Sequence, residues 1–275
     1  MDFREAREMA RDPNNIPGIF NYCDAWCDRC LFTSRCLSFK MHPRRFEKET
    51  DEEEREKKNE EFWEQVEEAV EDVKDLLEED DDDSVDELPD FDFDPEDEEE
   101  VAEMMDEHEK HRQKANEQPI AKAAKRYMDW VYDWYQIQKK KGTVVFPESR
   151  DELITFNVDG ISDPVILRRL GLAMEVAFYY HLQIWVKVIR ALTSSYEDFE
   201  DDPEFADFPK DSDGSAKVAL LGIDQSIAAW TTIWKYADSM KPELGEKIRL
   251  LRQLRSAIER VFPKARAFKR PGFDD

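Results

Sequence analysis

Apolar positions along most of this chain recur at intervals of three and four, the spacing of one face of an α-helix. The clearest run extends from Pro119 to Lys141. At 100° per residue, Ile120, Ala124, Tyr127, Met128, Val131, Trp134 and Tyr135 share one face. Lys122, Lys125, Asp129, Asp133, Gln136 and Lys140 share the other, and three lysines precede Gly142 as a helix C-terminus favours. A second helix is expected from Pro164, capped by Ser162 or Asp163, to about Ser194. A third, from about Ser215 to Met240, is apolar on most sides and belongs in the centre, with Asp213 or Ser215 as its cap. Pro242 opens a fourth, to about Phe262, whose inward positions are Leu244, Ile248, Leu251, Leu254 and Ile258. Residues 143–160 hold two short β-rich runs that could pair as a small hairpin.

Upstream the stripe narrows. Between Pro43 and Glu79, Phe62, Val66, Ala69 or Val70, Val73 and Leu77 keep helical spacing among acids. Residues 79–94 read as a linker, because like charges repel and little apolar surface offsets chain entropy. Asp94-Pro95 then starts a second acidic helix, poor in apolar residues (Val101, Met104, Met105), to about Glu117. A short helix is expected within DFREAREMARD near the amino terminus. The expected fold is mainly α: a helical bundle of about four core helices, with an N-terminal four-cysteine metal-binding module and an acidic helical and linker arm. The divisions are 1–48 for the module, 49–118 for the arm, 119–262 for the bundle and 263–275 for a basic, frayed tail.

Charge sharpens these divisions. The chain of 275 residues carries a formal −26, but residues 49–110 hold 34 of the 66 acids and 5 of the 40 bases, or −29. The remainder is +3, a nearly neutral body with an acidic insert. Such an insert disfavours nucleic acid, which is bound through clustered cations. It could serve as a solubilising spacer, fold onto the basic segment 241–270, or engage a basic protein partner through Phe91 and Phe93. Met1 to Asp12 has no apolar core of a signal peptide, and no window approaches 18 uninterrupted apolar residues, so a cytoplasmic location is expected.

All four cysteines, Cys23, Cys27, Cys30 and Cys36, fall within fourteen residues, as NYCDAWCDRCLFTSRC. Thiolates are soft anionic ligands, and four so close together can surround one zinc ion or one iron–sulfur cluster with no ligand from elsewhere. Clustered cysteines in a reducing compartment are more often ligands than disulfides. Structural zinc sites commonly use two knuckles a dozen or more residues apart, whereas here one C-x₂-C is flanked closely by the other two thiols. The last three cysteines, C-x₂-C-x₅-C at Cys27, Cys30 and Cys36, resemble the [4Fe–4S] loop of the endonuclease III class of DNA glycosylases. The resemblance covers about ten residues, that family's first gap is longer than the three residues found here, and no matching glycosylase domain follows. It implies cluster chemistry and no DNA repair. The expected cofactor is a [4Fe–4S] cluster used in redox transfer or sensing with a protein partner. The alternative is Zn²⁺ stapling the module of a non-enzymatic interaction protein. Arg29, Arg35, Lys40, Arg44 and Arg45 lie near in sequence to offset the centre's charge of about −2.

Other polar residues are read as structural. His181 falls on the apolar side of its helix, opposite Arg169, Gln183, Lys187 and Arg190, as a neutral histidine bonded to a carbonyl. Glu175 lies 120° around from it, so the two do not form the Glu-x-x-His pair of a di-iron site. His108 and His111 lie on a charged face, and Asp129 and Asp133 pair with lysines. Asp211–Gly214 fails the calcium-loop pattern, with Pro209 and Leu220 where acids are needed. No nucleophile elbow, phosphate-binding loop, Rossmann glycine pattern or H-E-x-x-H motif is present, and no catalytic set emerges.

Overall fold

The computed structural model describes residues 7, 9–41, 52–78, 107–147, 152–196 and 210–274. The linker 79–94, the helix start at Asp94-Pro95, Val101, Met104, Met105, Phe91, Phe93, Arg44 and Arg45 lie outside the described residues. Of the stretch expected to hold the N-terminal helix, residues 7 and 9–12 are described; 7, 9 and 10 are helical and 11 and 12 are not. The chain is mainly helical. Its α-helices are α1 (Leu37–Met41), α2 (Glu52–Glu71), α3 (Lys74–Glu78), α4 (Glu107–Glu117), α5 (Pro119–Lys140), α6 (Pro164–Ser195), α7 (Asp211–Tyr236) and α8 (Lys241–Val261). Strands β1 (Val144–Val145) and β2 (Thr155–Phe156) pair antiparallel, Val144 opposite Phe156, as the expected hairpin.

Helices α5, α6 and α8 form where the apolar period placed them, and α7 is offset by about one turn toward the amino terminus. Asp163 caps α6 by accepting the Val165 N–H at 2.8 Å. Gly142 ends α5 with φ +73°, a left-handed conformation that suits glycine. Gln118 separates α4 from α5 in extended conformation, because Pro119 crowds the residue before it. Helix α6 packs most extensively on α7, α5 packs on α6 and α8 on α7, and α5 and α8 also contact each other. Their core is aromatic: Trp230 is fully buried, its indole N–H donates to the Tyr127 hydroxyl at 2.8 Å, and its ring meets Trp130 and Trp134 edge-on. The Tyr135 hydroxyl donates to the Met174 carbonyl.

Three expectations are corrected. Helix α7 begins at Asp211, so Asp213 and Ser215 lie inside its first turns rather than capping it. The Asp211 carboxylate, at the positive end of the helix dipole, accepts from Arg190 at 2.5 Å and Ser194 at 2.7 Å, and this tertiary pairing extends the helix. Burial alone would raise the Asp211 pKa, but these bonds hold it below the usual carboxylate value. The polar stripe of α6 with Arg169, Lys187 and Arg190 is partly covered: Arg169 pairs with Asp72, Arg190 donates to the Asn21 carbonyl at 3.0 Å, and Lys187 is 7% exposed. Finally, the described part of the tail, to residue 274, does not fray. Ala265 is fully buried, the Phe268 ring lies 4.7 Å from Tyr22, and Phe273 lies 5.0 Å from Phe32.

The cysteine segment is therefore clamped on several sides. From α2, Arg55 donates to Thr33 Oγ1 at 2.8 Å, Asn59 to the Cys30 carbonyl at 3.1 Å, and Trp63 to the Arg29 carbonyl at 2.7 Å. These three recur every four residues, so one face of the acidic helix holds the module through two backbone carbonyls and one hydroxyl. From α6, Glu175 accepts from Arg29 Nη2 at 2.6 Å and Nε at 3.0 Å, with the guanidinium 4.4 Å over the Phe62 ring. Burial raises the Glu175 pKa, partly countered by Arg29. Arg29→Met would strand that carboxylate and lower the unfolding free energy by about 2–4 kcal/mol at neutral pH, measured by urea denaturation. The penalty shrinks on acidification, as Glu175 takes up a proton, and Arg29→Met with Glu175→Met together recovers most of it.

Candidate metal centre

Cys23, Cys27, Cys30 and Cys36 line one cavity, together with Asp24, Ala25, Trp26, Ile19, Phe20, Thr33, Phe39 and Phe273. The cavity measures about 20 Å³, more than one water needs, within free space of about 310 Å³ that includes open solvent. All four cysteines are free thiols of intermediate exposure. The sequence-predicted set is thus brought together around a common space. It is not a closed ligand shell as it stands: among the described residues no group of three or more His, Cys, Asp or Glu side chains could hold a metal ion.

Local structure explains the convergence. Cys27–Arg29 and Thr33–Arg35 are short 3₁₀ turns, whose three-residue pitch bends the chain back on itself twice between Cys27 and Cys36. Ala25, between the first two cysteines, has φ +63°, a strained conformation for a non-glycine residue and one that clusters at functional sites. The surrounding contacts hold it there. Asp24 accepts the Tyr180 hydroxyl at 2.7 Å and the Trp26 N–H at 3.1 Å on its carboxylate, and the Tyr179 hydroxyl at 2.9 Å on its carbonyl. Trp26 stacks on Tyr179 at 4.1 Å and meets Phe62, Trp63 and Tyr180 edge-on. One wall of the site is therefore a block of aromatic rings.

Two backbone donors face sulfur. The Phe32 N–H donates to Cys30 Sγ at 3.4 Å, and the Ala25 N–H favours the thiolate of Cys23. The Cys23 thiol itself donates to the Phe20 carbonyl at 3.4 Å. Burial is the larger influence: it raises the Cys23 pKa and pushes those of Cys27 and Cys30 up to about 12, with neighbouring thiolates adding to the rise. In the metal-free protein these groups are protonated at neutral pH, and a bound metal would have to displace protons.

The cations expected near the thiols are mostly engaged elsewhere. Arg29 is bound to Glu175, Lys40 to Asp12 and Asn15, and Arg35 donates to the Asn14 carbonyl. The cation that acts on Cys23 is instead Lys187 of α6, whose pKa burial lowers and whose charged form Cys23 supports. In the sequence Lys187 falls on the polar stripe of α6, opposite His181. Its signal was the seven-residue spacing from Tyr180, but that spacing has no meaning until the partner of the face is known.

The remaining candidates are structural. His181 is partly buried, bonds the Phe178 carbonyl through Nδ1, and has its pKa lowered by burial, as expected. Asp129 pairs with Lys125 at 2.6 Å. His108 is exposed, and His111 lies against the Tyr196 ring. A cleft of about 10 Å³ between α2, α6 and α7 is lined by Val66, Val70, Leu172 and other small or apolar side chains, with Gln225 and Thr232 at its edge, and offers no reactive group. No helix among the described residues is long and apolar enough to cross a membrane. Compared with protein-family models, with curated proteins and with solved structures, the chain matches none.

The thiol environment is testable in the metal-free protein. Alkylation of Cys27 and Cys30, followed by mass spectrometry, is expected to be at least on the order of a hundredfold slower at pH 8 than that of a free cysteine. Because both pKa values are about 12, the rate should climb through pH 8–11 rather than level off near 9. Phe273→Ala removes a wall of the cavity and should accelerate the reaction several-fold.

Proposed function

We propose that the chain binds a [4Fe–4S] cluster through Cys23, Cys27, Cys30 and Cys36 and uses it in electron transfer or redox sensing with a protein partner. The observation that carries this reading is the lining of one cavity by all four cysteines of the chain. Supporting it are the N–H donors to Cys23 and Cys30, which favour anionic sulfur, and the aromatic wall, which limits water at the centre. Zinc needs sulfurs about 2.3 Å from one ion, hence roughly 3.8 Å from each other. Among the described residues the thiols share a space without forming a group able to hold an ion, so either metal would require the loop to close on loading. Four cysteines fill the coordination of a cluster, leaving no position for Lewis-acid catalysis, so the chemistry supplied is electron exchange.

Purified without oxygen, the protein should be brown, with iron and acid-labile sulfide in equal amounts. Cys27→Ser and Cys30→Ser should each abolish iron retention while the helical circular dichroism stays. Colourless protein with stoichiometric zinc would overturn the redox reading in favour of a zinc-stapled interaction module. Protein holding neither metal, or iron retained by both variants, would overturn the site itself.

A further inference from the structure

Helix α2 lies against α6 and α7 and is held differently along its length. In its first half, Arg55, Asn59 and Trp63 bond the module at Thr33, Cys30 and Arg29. Toward its other end, Gln65 accepts from Arg168, the Asp72 carboxylate pairs with Arg169, and the Asp72 carbonyl accepts from Lys235 of α7 at 3.2 Å. These far fastenings are cationic and partly exposed, so salt screens them. Between the two ends the seat is thin. Its buried apolar residues are Phe62, Val66, Ala69 and Val73, and the cleft of about 10 Å³ lies under them, lined on both sides by alanines: Ala69 from α2, Ala173 from α6, Ala228 and Ala229 from α7. Gln225 at its edge has a buried Oε1 with no hydrogen-bond partner among the described residues. Small side chains around a gap forgo dispersion contacts, and an unpaired buried acceptor adds a penalty. On the outer face, Glu60, Glu64 and Glu68 are exposed one turn apart and repel each other. The centre of the bundle is unlike this: Leu220, Ile223 and Trp230 of α7 are fully buried.

We propose that α2 is a releasable strap: it lifts from α6 and α7 as one unit while the bundle stays folded, and in lifting it frees the backbone of Arg29 and Cys30 and opens the cysteine cavity. Local opening of this kind draws on the least stable contacts of a fold, which here are those of α2. The two fastenings belong to one helix and its following turn, with Asn59 and Asp72 about 20 Å apart along it. Loosening the far end is therefore felt at Cys30 only if the helix moves as a rigid piece. The inference concerns the metal-free chain and stands whether or not the cysteines take a cluster.

The test is amide hydrogen exchange read by mass spectrometry on the full metal-free chain, together with alkylation of Cys30. Amides of α2 should exchange as one block, at least about a hundredfold faster than those at the centre of α7. Arg169→Gln, which removes a contact at the far end of the strap and touches nothing in the cavity, should speed both α2 exchange and Cys30 alkylation by a common factor of about two to five, with α7 unchanged. Raising sodium chloride from about 0.1 to about 1 M shortens the screening length from about 10 to about 3 Å and should give the same response in the unaltered chain, so the outcome does not hang on how a variant folds. A single exchange rate for α2 and α7 overturns the strap. So does α2 exchange that neither the variant nor salt moves. Faster α2 exchange with Cys30 alkylation unmoved overturns its hold on the cavity.

Discussion

A module of about 30 residues cannot bury enough apolar surface to hold its own shape, and this one borrows its walls. The decisive contact is the Arg29–Glu175 pair, which fastens the turn between Cys27 and Cys30 to the longest helix among the described residues. An exposed ion pair would contribute little, but both partners here are largely shielded, so either one alone would be a stranded charge. The second fastening uses hydroxyls: those of Tyr179 and Tyr180 hold Asp24 from the same helix, two turns or less from Glu175. Together they fix both ends of the Cys23–Cys30 loop to one rigid rod. Convergence of the thiols is then a property of α6 as much as of the loop.

Close approach elsewhere completes the enclosure. A Cβ on Gly214, in the first turn of α7, would collide with the Tyr22 ring, and one on Gly272 would lie 2.9 Å from Ile16. Gly272 also has φ +77°, so the tail needs glycine there for two reasons. The result is a chain whose last residues cover its first described ones. Arg270 pairs with Asp274 at 2.8 Å and lies 4.8 Å from the Phe273 ring, stiffening the segment that presents Phe273 to the cavity. This hydrogen bond from Arg270 lowers the Asp274 pKa to about 2.

What could be read from sequence was what local rules determine. The apolar period located α5, α6 and α8, Pro119, Pro164 and Pro242 marked their starts, and the C-x₃-C-x₂-C-x₅-C spacing singled out the thiols. The misreadings share one cause. Arg190 extends α7 by binding Asp211, Phe32 gives Phe273 something to pack on, and the Cys23 loop turns a polar stripe of α6 into an internal face. Each depends on a contact between residues tens or hundreds of positions apart, which periodicity does not encode. The acidic helix α2 shows the same effect in reverse. Its charge suggested a solvated arm, yet Arg55, Asn59 and Trp63 on one side make it the module's clasp.

Electrostatics then links the docking to the chemistry. The metal binding proposed above would convert thiols into thiolates and add negative charge where Asp24 and Asp28 already act unfavourably on the sulfurs. Arg29, the cation nearest in sequence, is held by Glu175 and serves the docking. The compensation must come from groups the fold brings in. Backbone N–H groups of Ala25 and Phe32 are fixed dipoles that need no reorganisation when sulfur becomes anionic.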